Sequence, residues 1–148
     1  MDVEQIIQTN QKIPLKSRTI IHFTLIENKI NETIATALKP FGVSLQQFNV
    51  LRILRGQKGK PANLSTINKR MVTKMSNTTR LVDKLLLKGY VDRKVCASNR
   101  RKIEITITEK GAEALLEMDS AMQAVENELL ENLSTKELEQ LNKLFDKF

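Results

Sequence analysis

The chain has 148 residues, close to one ordinary domain, and is 41% hydrophobic and 28% charged, which excludes collagen-like, mucin-like and disordered classes. Its single cysteine, Cys96, excludes an intrachain disulfide. The net charge of +7 is unevenly spread: residues 60–110 hold 13 basic and four acidic side chains, net +9, whereas 111–148 hold three and nine, net −6. A block of one sign that large points to a polyanion partner, held through neutralised phosphates and released counterions.

The opening Met1-Asp2-Val3-Glu4 has no basic segment leading into an apolar one, and no apolar run approaches about 18 residues. The expectation is a cytoplasmic chain without a membrane span. Ile20, Phe23, Ile26, Ile30, Ile34 and Leu38 recur at steps of three and four and predict one face of a long helix, ended by Pro40 and Gly42. Ser44 and Gln47 have the spacing of a capping box, predicting a second helix over about 45–54 with Phe48, Leu51 and Ile53 or Leu54 inward. Gly56, Gly59 and Pro61 break the chain. Asn63 then caps a short helix through Leu64, Ile67 and Met71.

The next helix is expected over 74–88, capped by Thr73 and stopped by Gly89. At 100° per residue Thr78, Val82 and Leu85 fall on one side, flanked by Leu81 and Leu86, while Ser76, Asn77, Arg80, Asp83 and Lys84 fall on the other. Leu87 sits against the pattern, on the polar side. Beyond Gly89 the period becomes two, with Val91, Arg93 and Val95 on one run and Ile103, Ile105 and Ile107 on another, predicting an antiparallel hairpin whose connection is the basic stretch 96–101. Thr108 opens a long helix with Leu115, Met118, Met122, Val125 and Leu129 on one face. Ser134 with Glu137 is a second capping box, opening a last helix through Leu138, Leu141, Phe145 and Phe148.

A short helix, a turn, a helix with an outward polar face and a hairpin make a winged helix-turn-helix, whose second helix enters a major groove about 12 Å wide. The fold class is mainly α with a small β-hairpin wing. The stretches Gln47-Phe48-Asn49-Val50-Leu51, Thr79-Arg80-Leu81-Val82-Asp83-Lys84-Leu85 with Lys88-Gly89, and Asn99-Arg100-Arg101 to Thr108-Glu109-Lys110-Gly111 occur in order between Val43 and Gly111. In this the chain resembles the MarR family of bacterial transcriptional regulators. The resemblance implies a homodimer built by N-terminal (1–42) and C-terminal (111–148) helices around a DNA-binding lobe (43–110). It implies binding to a palindromic operator, release by a small-molecule effector in many members, and repression as the commoner mode. Long helices with narrow apolar stripes at both chain ends agree, because one subunit of this size cannot hide both.

On the recognition helix, Arg80 can bond a guanine edge in two places, Asn77 an adenine edge, and Ser76 either. Lys74, Thr79 and Lys84 lie nearer the phosphates, which position without specifying. The family's wing usually carries Asp-x-Arg, the acid steadying an arginine in the minor groove. Here Asn99, Arg100 and Arg101 stand there, so Arg101 matches the arginine but Asn99 replaces its acid by a neutral group.

An enzyme reading has no support. His22 and Cys96 give no metal-ligand spacing, no nucleophile signature or phosphate loop is present, and no cofactor is expected. Family members that sense peroxide do so through a cysteine near the N-terminus, a place that Cys96 does not match. The alternative function is a winged-helix module for a protein or RNA partner. It calls for an apolar patch or stacking aromatics on 74–84 and at Arg100 and Arg101, whereas Tyr90 is the only tyrosine and tryptophan is absent.

Overall fold

The structure, a computed structural model, describes residues 1–148 except 74–76 and 97–98, with backbone alone for 99–102. A short helix α1 (Val3–Ile6), absent from the expected elements, precedes α2 (Leu15–Leu38). Its place is held by Arg18 on α2, whose Nε donates to Glu4 Oε1 at 2.9 Å. At about 1.5 Å per residue, α2 is about 36 Å long. It ends in a single 3-10 turn, Lys39–Phe41, with Gly42 at φ 59°, left-handed backbone that suits a residue without Cβ.

The expected capping box is present on α3 (Leu45–Arg55): Ser44 Oγ accepts from Gln47 N at 3.3 Å, and Gln47 Oε1 accepts from Ser44 N at 2.9 Å. Asn63 caps α4 (Leu64–Arg70) by accepting from Thr66 N at 2.8 Å. The next helix, α5, is Thr78–Leu87, a correction to the expected start at 74. Thr73 lies in a bend and is not the cap. Asn77 takes the cap position without a side-chain cap bond. Tertiary contact sets this start, since Thr78 is buried and its hydroxyl donates to Asn68 Oδ1 of α4 at 3.3 Å.

β1 (Val91–Cys96) pairs antiparallel with β2 (Asn99–Ile107), placing Val91 opposite Ile107, Arg93 opposite Ile105 and Val95 opposite Ile103. The ladder continues past a register shift to Cys96 opposite Asn99, so the strands run further than expected and 96–101 is not one loop. Alternation ends where apolar burial ends, but backbone pairing needs no apolar side chains. Then α6 (Glu109–Leu130) is capped by Thr108, and α7 (Thr135–Phe145) by the Ser134–Glu137 box. Phe148 falls beyond the end of α7, in contrast to the expected run of the last helix.

The core lies where these elements converge. Phe48 and Leu51 of α3, Ile67 of α4, Val82 and Leu85 of α5, Ile105 of β2, and Leu115 and Met118 of α6 are buried together. The inward stripe expected for α5 is therefore correct. The stripe on α2 is buried only at Ile34 and Leu38; Ile20 is 61% exposed, and Ile26 and Ile30 are exposed as well. Among the described residues, no helix is long and apolar enough to cross a membrane.

Candidate nucleic-acid interface

Burial of Val82 and Leu85 forces the other side of α5 outward. Thr79, Arg80 and Lys84 are exposed there, Asp83 is half-buried at its edge, and Leu87, expected to fall on this side, is 89% exposed. Asn77 is half-buried just before the helix. Lys74 and Ser76 lie outside the described residues. Asn99, Arg100 and Arg101 lie on β2, where only their backbone is described.

Three contacts fix this surface relative to the body. Thr78 joins the start of α5 to α4, as above. At the other end Tyr90 N donates to Leu85 O at 3.0 Å and Gly89, at φ 72°, turns the chain from helix to strand. Between the ends, Arg93 Nη1 of β1 donates to Asp83 Oδ1 of α5 at 2.7 Å. That pair has no sequence signature, because its members lie on different elements and only the packing angle of hairpin on helix brings them together. A further contact also escaped sequence reasoning. Ala62, just before α4, forms an isolated antiparallel bridge with Ile105 of β2. One bridge is too short to show an alternating pattern.

Lys69 and Arg70 are exposed in the last turn of α4, the helix that precedes α5. They favour the negative end of their own helix. Among the described residues, no three His, Cys, Asp or Glu side chains converge as a metal site requires. His22 is half-buried on α2, far in sequence from this face.

A polar, cation-bearing helix standing behind a shorter one, with a two-stranded hairpin tied to its flank, defines a winged helix-turn-helix protein. Comparison with known proteins agrees: residues 43–103 match the model of the MarR family. The transcriptional repressor MprA of Escherichia coli (strain K12) is 28% identical over 130 residues, covering 88% of this chain and 72% of that protein. Wild-type MarR from E. coli, in its apo crystal form, superposes with a TM-score of 0.69 at 26% identity, covering 93% of this chain and 98% of that one. A cysteine-to-serine mutant of E. coli MarR, crystallised with operator DNA, shares the fold at a TM-score of 0.76 and 23% identity, covering 99% and 98%. Over its winged helix-turn-helix the chain is thus similar to the MarR family of transcription regulators.

Proposed function

We propose that this protein binds duplex DNA sequence-specifically as a homodimer on a palindromic operator, acting as a repressor that a small ligand releases. The observation that carries the reading is the outward face of α5, which presents Arg80, Thr79 and Lys84 from a helix whose other side is locked into the core. Such a helix can enter a major groove without rearranging. In this reading Arg80, Asn77 and Ser76 meet base edges, Lys74, Thr79 and Lys84 meet phosphates, and Asn99, Arg100 and Arg101 approach the minor groove. The E. coli complex with operator DNA supports it by likeness of fold.

The dimer reading rests on apolar surface at both chain ends. Ile20, Ile26 and Ile30 of α2, Leu130 and Leu133 around the end of α6, and Phe145 and Phe148 are exposed in the single subunit. An apolar cavity of about 380 Å³, lined by Ile26, Ile30, Met122, Leu129 and Leu133, opens between α2 and α6. Exposed apolar surface of this extent is characteristic of an interface. The division into 1–42, 43–110 and 111–148 follows, with the outer segments pairing subunits and the middle one reading DNA.

Effector release is supported by a cleft of about 260 Å³ where α3 meets α6, lined by Phe48, Arg52, Asp119, Met122, Gln123 and Glu126. Arg52 lies 5.6 Å above the Phe48 ring, and Arg55 is ion-paired to Asp119 across the same junction. A ligand wedged there would bias the angle between the reading lobe and the outer helices, which is what release requires.

Selection of bound genomic fragments, followed by gel-shift titration across salt concentrations, tests the proposal. A palindrome whose half-sites lie roughly 34 to 36 Å apart is expected, with affinity falling steeply as salt rises. Flat affinity across salt, or a monomer by sedimentation, would refute it.

A further inference from the structure

We infer that the Asp83–Arg93 ion pair is a strut that sets the angle of the wing against the recognition helix, so that Arg93 is a positioning residue and not a DNA contact. The inference rests on the DNA-binding reading above. Asp83 follows Arg80 by three residues, at the edge of the surface that would approach phosphates. A carboxylate there is repelled by phosphate unless a cation neutralises it. Arg93 does so from within the protein, at 2.7 Å.

Both ends of the strut are anchored. Asp83 is flanked by Val82 and Leu85, both buried in the core. Arg93 pairs with Ile105, which is fully buried and bonded in turn to Ala62. Beyond Arg93 the first strand lifts away from the body, since Val95, on the same face of β1, is 62% exposed, and the hold passes to its partner Ile103 of β2, which packs against the core. The pair is thus a side-chain tether at the base of a lever. From Arg93 to Cys96 the strand extends about 10 Å, so a 10° tilt at the base moves that end by about 2 Å. That is enough to make or break a groove contact. At 42% and 48% exposure the two side chains add little to global stability, and the value of the pair lies in the angle it holds.

The test uses the full-length protein with Asp83→Asn, Arg93→Gln, the double variant and the reversed pair Asp83→Arg with Arg93→Asp. Two quantities are read: the ratio of operator to non-operator affinity, and NMR order parameters of hairpin amides without DNA. Each single change is expected to lower the ratio about two- to fivefold and to lower the hairpin order parameters, with the double variant no worse than either. The reversed pair should recover hairpin order. If Asp83→Asn tightens binding to every duplex alike with hairpin order unchanged, Asp83 is only a repelling charge and the strut is refuted. Additive losses in the double variant would make Arg93 a DNA contact and refute it equally. A wild type that prefers no duplex would overturn the DNA-binding reading, while the order parameters would still decide the strut.

Discussion

Ala62 and Ile105 exchange both backbone hydrogen bonds: Ile105 N donates to Ala62 O at 2.7 Å and Ala62 N donates to Ile105 O at 2.9 Å. Forty-three positions separate them, and both are buried. The residue that leads into the Asn63 cap of α4 is thereby stitched to β2 near its C-terminal end. The base of the wing and the entry to the helix-turn-helix are one unit, which explains how a two-stranded hairpin, marginal alone in water, holds its place.

The tightest backbone approach predicts the most damaging small substitution. A Cβ on Gly111 would lie 2.0 Å from Tyr90 O, and that oxygen already accepts from Thr108 N at 3.0 Å. Backbone cannot give way as a side chain can, so Gly111→Ala should cost about 3 kcal/mol. Gly59→Ala, at φ 83° with open space around it, should cost about 1 kcal/mol from backbone strain alone. Urea denaturation of the two variants checks the order.

Base and phosphate roles separate on a panel of operator variants. Arg80→Ala should cost about 1 to 3 kcal/mol and relax specificity at one base position. Lys84→Ala should weaken all duplexes alike and reduce the slope of affinity against salt by about one ion. The same position-dependent pattern from both would overturn the assignment.

At the chain ends, Phe23 of α2 meets Phe145 and Phe148 with ring centroids 6.1 and 5.8 Å apart, yet Phe148 is 94% exposed. These rings should be covered by the second subunit. Ile20→Glu, placed on the exposed part of the stripe, should shift sedimentation toward monomer while far-ultraviolet circular dichroism stays unchanged. A dimer of undiminished affinity would remove α2 from the interface.

The attachment of α1 is pH-dependent. The hydrogen bond from Arg18 to Glu4 holds the Glu4 carboxyl below its usual range and raises Arg18. A depressed carboxylate stabilises the fold above its unfolded pKa, and that contribution is lost as pH falls through the folded value. Hydrogen exchange of the α1 amides should therefore accelerate as pH is lowered through the carboxylate range, relative to intrinsic rates. Glu4→Gln should be fast throughout and lack this dependence.

Cys96 is expected not to be the regulatory switch. It is half-buried at the end of β1, opposite Asn99, and the chain holds no second cysteine to resolve an oxidised thiol. Cys96→Ser should bind operator normally. Release of the wild type by dilute peroxide, with Cys96→Ser still bound, would show otherwise.

What was legible in the sequence follows from local physics. Helix starts at Ser44, Asn63, Thr108 and Ser134 were readable because each cap bonds an amide two or three residues away. The inward stripe of α5 was readable because 100° steps alone place Thr78, Val82 and Leu85 together. The start of α5 was not, because it depends on Thr78 meeting Asn68 of another helix, a contact that outweighed the local cap signal at Thr73. Nor were the Ala62–Ile105 bridge or the Asp83–Arg93 pair, which exist only once the hairpin has packed across α5. Periodicity also marked the whole stripe from Ile20 to Leu38 as apolar, while only packing showed that one subunit buries Ile34 and Leu38, half-covers Phe23 and leaves Ile20, Ile26 and Ile30 exposed. A local pattern dictates which faces are apolar and where helices are capped; which apolar faces meet, and at what angle, is decided by long-range packing that no window of sequence contains.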